Sequence, residues 1–83
     1  MRATGEWTQQ GAPAVLARAV DYLKAGTVDL SDIQQFDSAG LALMLELTRR
    51  AKAQGRSLQF THLPPALGTL ASFFEVDMLL SVT

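Results

Sequence analysis

The residues from 39 to 54 form an uninterrupted helical pattern, and this segment constrains the fold more than any other part of the chain. At about 100° per residue, most of its apolar side chains fall on one arc and its charged side chains on the opposite face. The arc holds Leu41, Met44, Leu45, Thr48 and Ala51, widened by Leu47, and the opposite face holds Glu46, Arg49, Arg50 and Ala53. The pattern therefore predicts an amphipathic helix that covers one side of a sheet.

A strand and a loop precede this helix, and the loop ends in Asp37-Ser38. Both residues are good N-caps, because a short side-chain oxygen can accept a hydrogen bond from a free first-turn amide. The sequence leaves open which of the two is the cap. In either case we expect Ser38 where unpaired amides and the positive helix end point outward, a position that accommodates a phosphate or a polar group of a partner.

Strands and helices alternate along the whole chain. The predicted elements are an extended segment around Gly5 to Thr8, a helix over 13–25 closed by Gly26, a strand over 27–30, the helix over 39–54, a strand over 57–61, a helix that starts at Pro64-Pro65, and a short last strand over 78–82. This order predicts an α/β fold, in which helices flank a small, mainly parallel β-sheet with right-handed crossovers. We expect a single domain over residues 1–83.

Composition excludes several classes of function. An apolar fraction of 48% is ample for a core, and a net charge of −1 with scattered basic residues does not indicate a nucleic-acid surface. There is no cysteine for a thiolate metal site, and no apolar run approaches the roughly 18–20 residues that span a bilayer. We therefore expect a cytoplasmic domain with no nucleic-acid partner, no membrane span, no cofactor and no metal.

The residues that could carry catalysis do not form a known pattern. Ser38 lacks the first glycine of a nucleophile elbow, and His62 is the only histidine of the chain. A lone serine and a lone histidine do not make a triad. The carboxylates Asp29, Asp32 and Asp37 are spaced unlike any known cation-binding loop. The sequence therefore predicts no catalytic residue, no metal site and no enzymatic activity.

Asp29 is unusual, because acidic residues are disfavoured in strands unless something binds them. Its carboxylate could cap loop amides near the Ser38 turn. Exposure at a strand edge explains the residue equally well.

The first turn of the helix over 39–54 offers a small and partly apolar surface. Ser38, Ala39, Ala42 and Leu43 are expected to lie there. Small side chains let the backbone of another protein approach closely, so we interpret this surface as a candidate docking site. A solvated helix shoulder is the alternative interpretation.

Several segments resemble the signature of STAS domains (sulphate transporter and anti-sigma factor antagonist). They are Val28-Asp29-Leu30-Ser31, Phe36-Asp37-Ser38-Ala39-Gly40-Leu41, Ala53-Gln54-Gly55-Arg56-Ser57-Leu58 and the region from Leu70 to Leu80. The resemblance runs from about Gly5 to Leu80 and implies a non-enzymatic binding module. In the anti-sigma antagonists, the residue matching Ser38 is phosphorylated by a partner kinase, and the helix that it begins forms the contact surface.

Two groups of STAS proteins compete. The run from Leu41 to Leu47, together with Leu67-Gly68-Thr69-Leu70-Ala71, looks like the MlaB-type subunit of phospholipid-trafficking ABC transporters, which maintain outer-membrane lipid asymmetry. That resemblance implies that the partner is a cytoplasmic ABC ATPase subunit. The domain would then be peripheral to the inner membrane, held there through this partner. The alternatives are an anti-sigma factor antagonist that is regulated through Ser38, and a stand-alone STAS protein of other use. For the transporter subunit and for the anti-sigma factor antagonist, the expected partner-binding or phosphoacceptor positions are Asp37, Ser38, Ala39, Gly40, Ala42 and Leu43.

One departure from the family concerns the N-terminal side of the sheet. Family members usually carry another strand before the segment around Gly5-Glu6-Trp7, and we expect this usual first strand to be lacking here. A sheet edge with unpaired amides and carbonyls tends to recruit another strand. We therefore expect either a homodimer through that edge or coverage of the edge by a partner.

Overall fold

Two short parallel strands lie at the centre of the fold. The structure is a computed structural model that describes residues 1–76 and 79–82. Its elements in chain order are α1 (Ala12–Ala17), α2 (Ala19–Ala25), β1 (Thr27–Asp29), α3 (Ser38–Ala53), β2 (Gln59–Thr61) and α4 (Pro65–Phe73). Val28 pairs with Phe60, and single parallel bridges join Arg2 to Asp29 and Phe60 to Val82. The prediction of an α/β fold with a small parallel sheet flanked by helices is confirmed.

The chain's own N-terminal residues pair with β1. The amide of Ala3 donates to the carbonyl of Asp29 at 2.8 Å, and the amide of Asp29 donates to the carbonyl of Met1 at 2.9 Å. Of the predicted segment around Gly5 to Thr8, only Trp7 makes a bridge, and its partner is Phe36. Residues 1–3 thus cover this edge of β1, and the homodimer through a sheet edge stays a prediction.

The predicted helix over 13–25 is two helices in the structure. It is interrupted at Arg18, whose φ of −102° and ψ of 10° lie outside the α-helical range. The apolar spacing over 13–25 predicts that Val20 faces inward together with Ala19 and Leu23. After the break, Val20 is instead 62% exposed and Tyr22 is fully buried. Gly26 ends α2 in the left-handed conformation, as predicted.

The buried face of α3 is wider than the predicted arc. Its buried residues are Gly40, Leu41, Leu43, Met44, Leu47, Thr48 and Ala51. Leu43 is only 4% exposed, so the prediction that it lies on the surface of the first turn is wrong. The physical reason is that α3 contacts α1, α2 and α4, so its neighbours cover more of the helix than one arc.

The C-terminal part of the chain also differs from prediction in one respect. The apolar spacing after Pro64-Pro65 predicts inward positions for Leu67, Leu70, Ala71 and Phe74. Leu67 and Ala71 are buried, but Phe74 is 51% exposed. It lies just beyond the last helical residue, Phe73, so the helical spacing that predicted its burial no longer applies. Val82 bridges β2 where the last strand was expected, although part of that predicted strand lies outside the described residues.

Candidate functional site

Asp37 caps α3 and fixes the position of the residue that follows it. Its Oδ1 accepts a hydrogen bond from the amide of Ala39 at 2.7 Å, and its Oδ2 accepts one from the amide of Gln9 at 3.4 Å. The choice between the two candidate caps is therefore settled in favour of Asp37. Ser38 is the first residue of α3 and is exposed, and within the described residues its hydroxyl makes no hydrogen bond.

The segment around Trp7 anchors this end of α3. The amide of Trp7 donates to the carbonyl of Gln35 at 3.0 Å, and the carbonyl of Trp7 accepts from the amide of Asp37 at 3.4 Å. Trp7 itself is fully buried and packs edge-on against Tyr22, with ring centroids 5.9 Å apart. The start of α3 is therefore held by backbone hydrogen bonds and by a buried aromatic pair.

A shallow groove runs along α3 from Ser38. It encloses about 330 Å³, and its lining is mostly apolar. We call it the Ser38 groove, and its lining residues are Ser38, Leu41, Ala42, Leu45, Phe74 and Val76. The four residues from α3 follow the helical spacing i, i+3, i+4 and i+7, so they form one stripe. Ser38 is thus the one polar residue among the described residues that line the groove, and it lies at one end of the stripe. The small side chain of Ala42 leaves space in the groove for another polypeptide.

The end of α4 forms the opposite wall of the groove. The amide of Val76 donates to the carbonyl of Ala71 at 3.0 Å, and the amide of Glu75 donates to the carbonyl of Ser72 at 3.1 Å. With Glu75 at a φ of 58°, these two hydrogen bonds make a Schellman motif. The motif fixes the backbone of the turn that carries Phe74 and Val76 into the wall.

Two aromatic rings lie near this wall, at the end of α4. Phe73 is 78% exposed, and its ring packs edge-on against that of Phe74 at a centroid distance of 5.4 Å. Exposed apolar surface of this kind is typical of interaction sites.

Asp29 and His62 form a separate polar cluster at the ends of the two strands. Oδ1 of Asp29 accepts a hydrogen bond from the amide of Ser31 at 2.9 Å and lies 3.2 Å from Nδ1 of His62. The hydrogen bonds from Ser31 lower the pKa of Asp29 below its ordinary value, and the charges of His62 and Arg2 act in the same direction. The carboxylate therefore caps a loop amide, as one of the two interpretations held, but that amide belongs to Ser31 and not to the turn at Ser38. His62 contacts Asp29, and no hydrogen bond in the described part of the chain joins it to Ser38.

Further along α3, Glu46 binds two arginines. Its carboxylate accepts hydrogen bonds from Arg49 at 2.7 and 2.8 Å and from Arg50 at 2.8 Å. These bonds lower the pKa of Glu46 to about 2, and the carboxylate in turn raises the pKa of Arg49. Glu46 directly follows the groove residue Leu45 in the chain, and the two arginines lie about one turn further along α3.

A second cavity of about 320 Å³ lies between the N-terminal segment and the first two helices. Its lining includes Thr4, Glu6, Arg18 and Tyr22. None of its lining residues was a candidate site residue, and none lies on α3. We therefore place the candidate site at the Ser38 groove.

The structure brings together most, but not all, of the predicted site residues. Asp37, Ser38 and Ala42 are exposed at the start of α3, Ala39 is half-buried, and Gly40 and Leu43 are buried. The sequence reasoning missed the groove residues Leu41, Leu45, Phe74 and Val76 as members of the site. The stripe of Ser38, Leu41, Ala42 and Leu45 was visible as a helical spacing, whereas nothing local predicted that the end of α4 would lie beside it.

Two further observations concern residues 1–76 and 79–82. No cluster of three or more histidine, aspartate or glutamate side chains there is arranged to hold a metal ion. In the same residues, no helix has the length and apolar composition to cross a bilayer.

Comparison with known proteins identifies the fold and the family of the chain. No curated protein matches the chain in sequence. Among solved structures, a chain from Thermotoga maritima described as a "putative anti-sigma factor antagonist" superposes with a TM-score of 0.77 at 15% identity, over 98% of this chain and 75% of that one. A family model described as "Mlab, STAS domain" matches residues 1–81. The chain therefore belongs to the STAS-domain family, and within it to the MlaB type.

Proposed function

We propose that this chain is a non-enzymatic docking subunit of a phospholipid-trafficking ABC transporter, and that it binds the cytoplasmic ATPase subunit. STAS domains are generally non-catalytic binding modules, and the family match is of the MlaB type. The observation that carries the proposal is the exposed Ser38 at the capped start of α3, beside an apolar groove. On this proposal the protein acts in the cytoplasm, peripheral to the inner membrane through its partner.

The proposed contact combines one polar and several apolar interactions. The hydroxyl of Ser38 can donate and accept hydrogen bonds, so it can pair with a polar group of the ATPase. Ala39 and Ala42 are small enough for close approach of a backbone, and Phe74 adds an exposed aromatic surface. Leu43 has no part in this contact, because it belongs to the core.

Docking of this kind regulates by stabilising one state of the partner. A bound domain shifts the ATPase between two conformations only by its difference in affinity for them. We propose that the Ser38 groove fits the assembled, productive state of the ATPase better than the unassembled one.

Co-purification of tagged protein with the ATPase subunit tests the proposal. Ser38→Glu places a charge in a contact that must be desolvated, and such a charge costs several kcal/mol on rough estimates. We expect this variant to lose the ATPase while keeping its fold, because Ser38 is exposed and Asp37 supplies the cap. Ser57→Glu is the matched control, since Ser57 is exposed beyond the other end of α3. Retention of the ATPase by Ser38→Glu at the wild-type level would refute the contact.

A second candidate function is that of an anti-sigma factor antagonist. It is favoured by the superposition on the Thermotoga maritima chain and by the exposure of Ser38, which a kinase could reach. In that case Ser38 is phosphorylated with ATP by a partner kinase. Mass spectrometry after incubation with the kinase, using Ser38→Ala as the control, tests this function. A pull-down from the native cell separates the two functions, because it recovers either an ABC ATPase or a kinase.

A further inference from the structure

Glu75 occupies a backbone position that normally belongs to glycine. Helices α2 and α3 both end with a glycine in the left-handed region, Gly26 at a φ of 76° and Gly55 at 69°. Helix α4 ends in the same way at Glu75, at a φ of 58°. A residue with a Cβ is strained in this region, and such strain is often kept where the side chain has a function. The exposed carboxylate of Glu75 is therefore a candidate for a role that glycine could not fill.

Two acidic residues adjoin residues that line the Ser38 groove. Asp37 precedes the groove residue Ser38, and Glu75 lies between the groove residues Phe74 and Val76. Both acidic residues are exposed. Further along α3, Glu46 pairs with both Arg49 and Arg50 at 2.7 and 2.8 Å, so that cluster carries one net positive charge. An occupant of the groove therefore meets apolar surface next to two exposed acidic residues, of which Asp37 already caps α3 and Glu75 forms no ion pair with another described residue.

We infer that the Ser38 groove takes an amphipathic helical segment of the partner whose apolar side chains are flanked by Lys or Arg, and that Glu75 recognises this positive charge. The inference rests on the proposed function, because it specifies which kind of ATPase segment docks. Its apolar side chains lie along the stripe of Ser38, Ala42 and Leu45, in the helix-in-groove mode of recognition. Its basic side chain reaches the carboxylate of Glu75 at the rim, where complementary charge sets specificity and association rate.

Two variants of Glu75 distinguish the effect of its charge on ATPase binding from the effect of its backbone strain on the stability of the free protein. Glu75→Gly removes both the carboxylate and the backbone strain. Because the strain is removed, we expect the Tm of the free protein to rise by about 4 °C. Because the charge is removed, we expect the Kd for the ATPase to rise about fivefold. Glu75→Gln keeps the strain and loses the charge, so the same weakening should appear without the rise in Tm. The affinity of both variants should also depend less on salt than that of the wild type.

Asp21→Asn is the matched control, because Asp21 is an exposed carboxylate on α2 that lines neither cavity. We expect its Kd to equal that of the wild type. If Glu75→Gly and Glu75→Gln bind the ATPase as tightly as Asp21→Asn does, the inference is overturned while the proposed function stands.

A second experiment tests the inference without the ATPase. It therefore gives an answer even if the wild type binds no ATPase and the proposed function is wrong. Two synthetic helical peptides of about 16 residues carry the same leucine pattern, with lysine at the polar positions of one and glutamate in the other. In amide NMR spectra we expect the lysine peptide to shift Ser38, Ala42, Leu45 and Val76 and to bind at least fivefold more tightly. In Glu75→Gln this preference should shrink.

Three outcomes of the peptide experiment contradict the inference. They are equal binding of the two peptides, shifts that map away from the groove, and no binding of either peptide. Shifts of the same amides that grow with protein concentration, in the absence of peptide, would identify a second copy of the chain as the occupant and would also overturn it.

Discussion

A Cβ atom on Gly40 would lie 2.5 Å from the carbonyl oxygen of Trp7. The same oxygen accepts the hydrogen bond from the amide of Asp37, so it cannot move away without disturbing the capped start of α3. Because Gly40 has no side chain, α3 can approach the backbone of the N-terminal segment closely at Trp7. Because Ser38 lies two residues earlier, this contact also fixes the position of the proposed docking site.

We expect Gly40→Ala to destabilise the protein by about 1–2 kcal/mol. Overpacking costs about 1–3 kcal/mol, and a contact of 2.5 Å with a backbone oxygen places Gly40→Ala in the upper part of that range, from which a gain of roughly 1 kcal/mol for replacing glycine by alanine within a helix is subtracted. Urea unfolding measures the difference. Gly68→Ala is the matched control, since a Cβ there would meet only the end of the Leu63 side chain at 3.4 Å. Equal stability of the two variants would contradict the close approach.

The cap of α3 gives a second prediction. Asp37→Ala removes the acceptor of the Ala39 and Gln9 amides, and loss of an N-cap side chain typically costs about 1 kcal/mol. We expect a decrease of this size in the free energy of unfolding, whereas Asp37→Asn should keep most of the stability because its amide oxygen can still accept.

Asp32→Ala is the control for Asp37→Ala. Asp32 is also an exposed carboxylate of the loop region, but its contact is a 3.4 Å pair with the exposed Arg2. Exposed pairs contribute little. A loss at Asp32 as large as that at Asp37 would mean that net charge, and not capping, governs the stability of this region.

Local signals predicted much of the fold. A capping residue, a helical repeat and Gly55 placed the ends of α3 within one residue of their observed positions. A glycine likewise placed the end of α2. Each of these features depends on the backbone chemistry of a few neighbouring residues, so the sequence alone contains the information.

Features set by packing between distant segments could not be predicted in this way. Arginine is a good helix former, so nothing local indicates the break at Arg18. A single helical wheel assumes one covered face, whereas α3 is covered by three helices, and this is why the burial of Leu43 was missed. The wall of the Ser38 groove depends on where α4 ends in space, which the periodicity of α3 does not report.

The arginine cluster on α3 predicts a specific dependence of stability on pH. The ordinary pKa of a glutamate is near 4.5, and in the folded protein the pKa of Glu46 is lowered to about 2. A lowered folded-state pKa means that the carboxylate stabilises the fold above pH 4.5. This contribution is lost as the pH falls towards 2, because the carboxylate becomes protonated and releases Arg49 and Arg50.

We expect Glu46→Gln to have a shallower decrease in stability between pH 4.5 and 2 than the wild type. Urea unfolding at several pH values measures the decrease, and a parallel series at high salt should reduce the difference, because salt screens exposed charges. Glu6→Gln serves as the control, since Glu6 makes no ion pair with another described residue. An unchanged pH profile for Glu46→Gln would show that the cluster does not contribute to folding.

The aromatic pair in the core gives the last prediction. Tyr22 packs edge-on against Trp7, and within the described residues neither the Tyr22 hydroxyl nor the Trp7 indole nitrogen has a hydrogen-bond partner, although both are buried. A buried polar group without a partner costs roughly 1–3 kcal/mol in desolvation. Tyr22→Phe removes the hydroxyl and keeps the ring, so we expect it to raise the free energy of unfolding by about 1 kcal/mol.

Tyr22→Leu is the comparison variant, because it loses the aromatic contact as well as the hydroxyl and should be destabilising. Thermal unfolding of both variants separates the contribution of the ring from that of the hydroxyl. If Tyr22→Phe is instead less stable than the wild type, the Tyr22 hydroxyl must be hydrogen-bonded in solution. A buried water between Tyr22 and Trp7 is then the simplest partner, because such waters bridge buried polar groups that lack other partners.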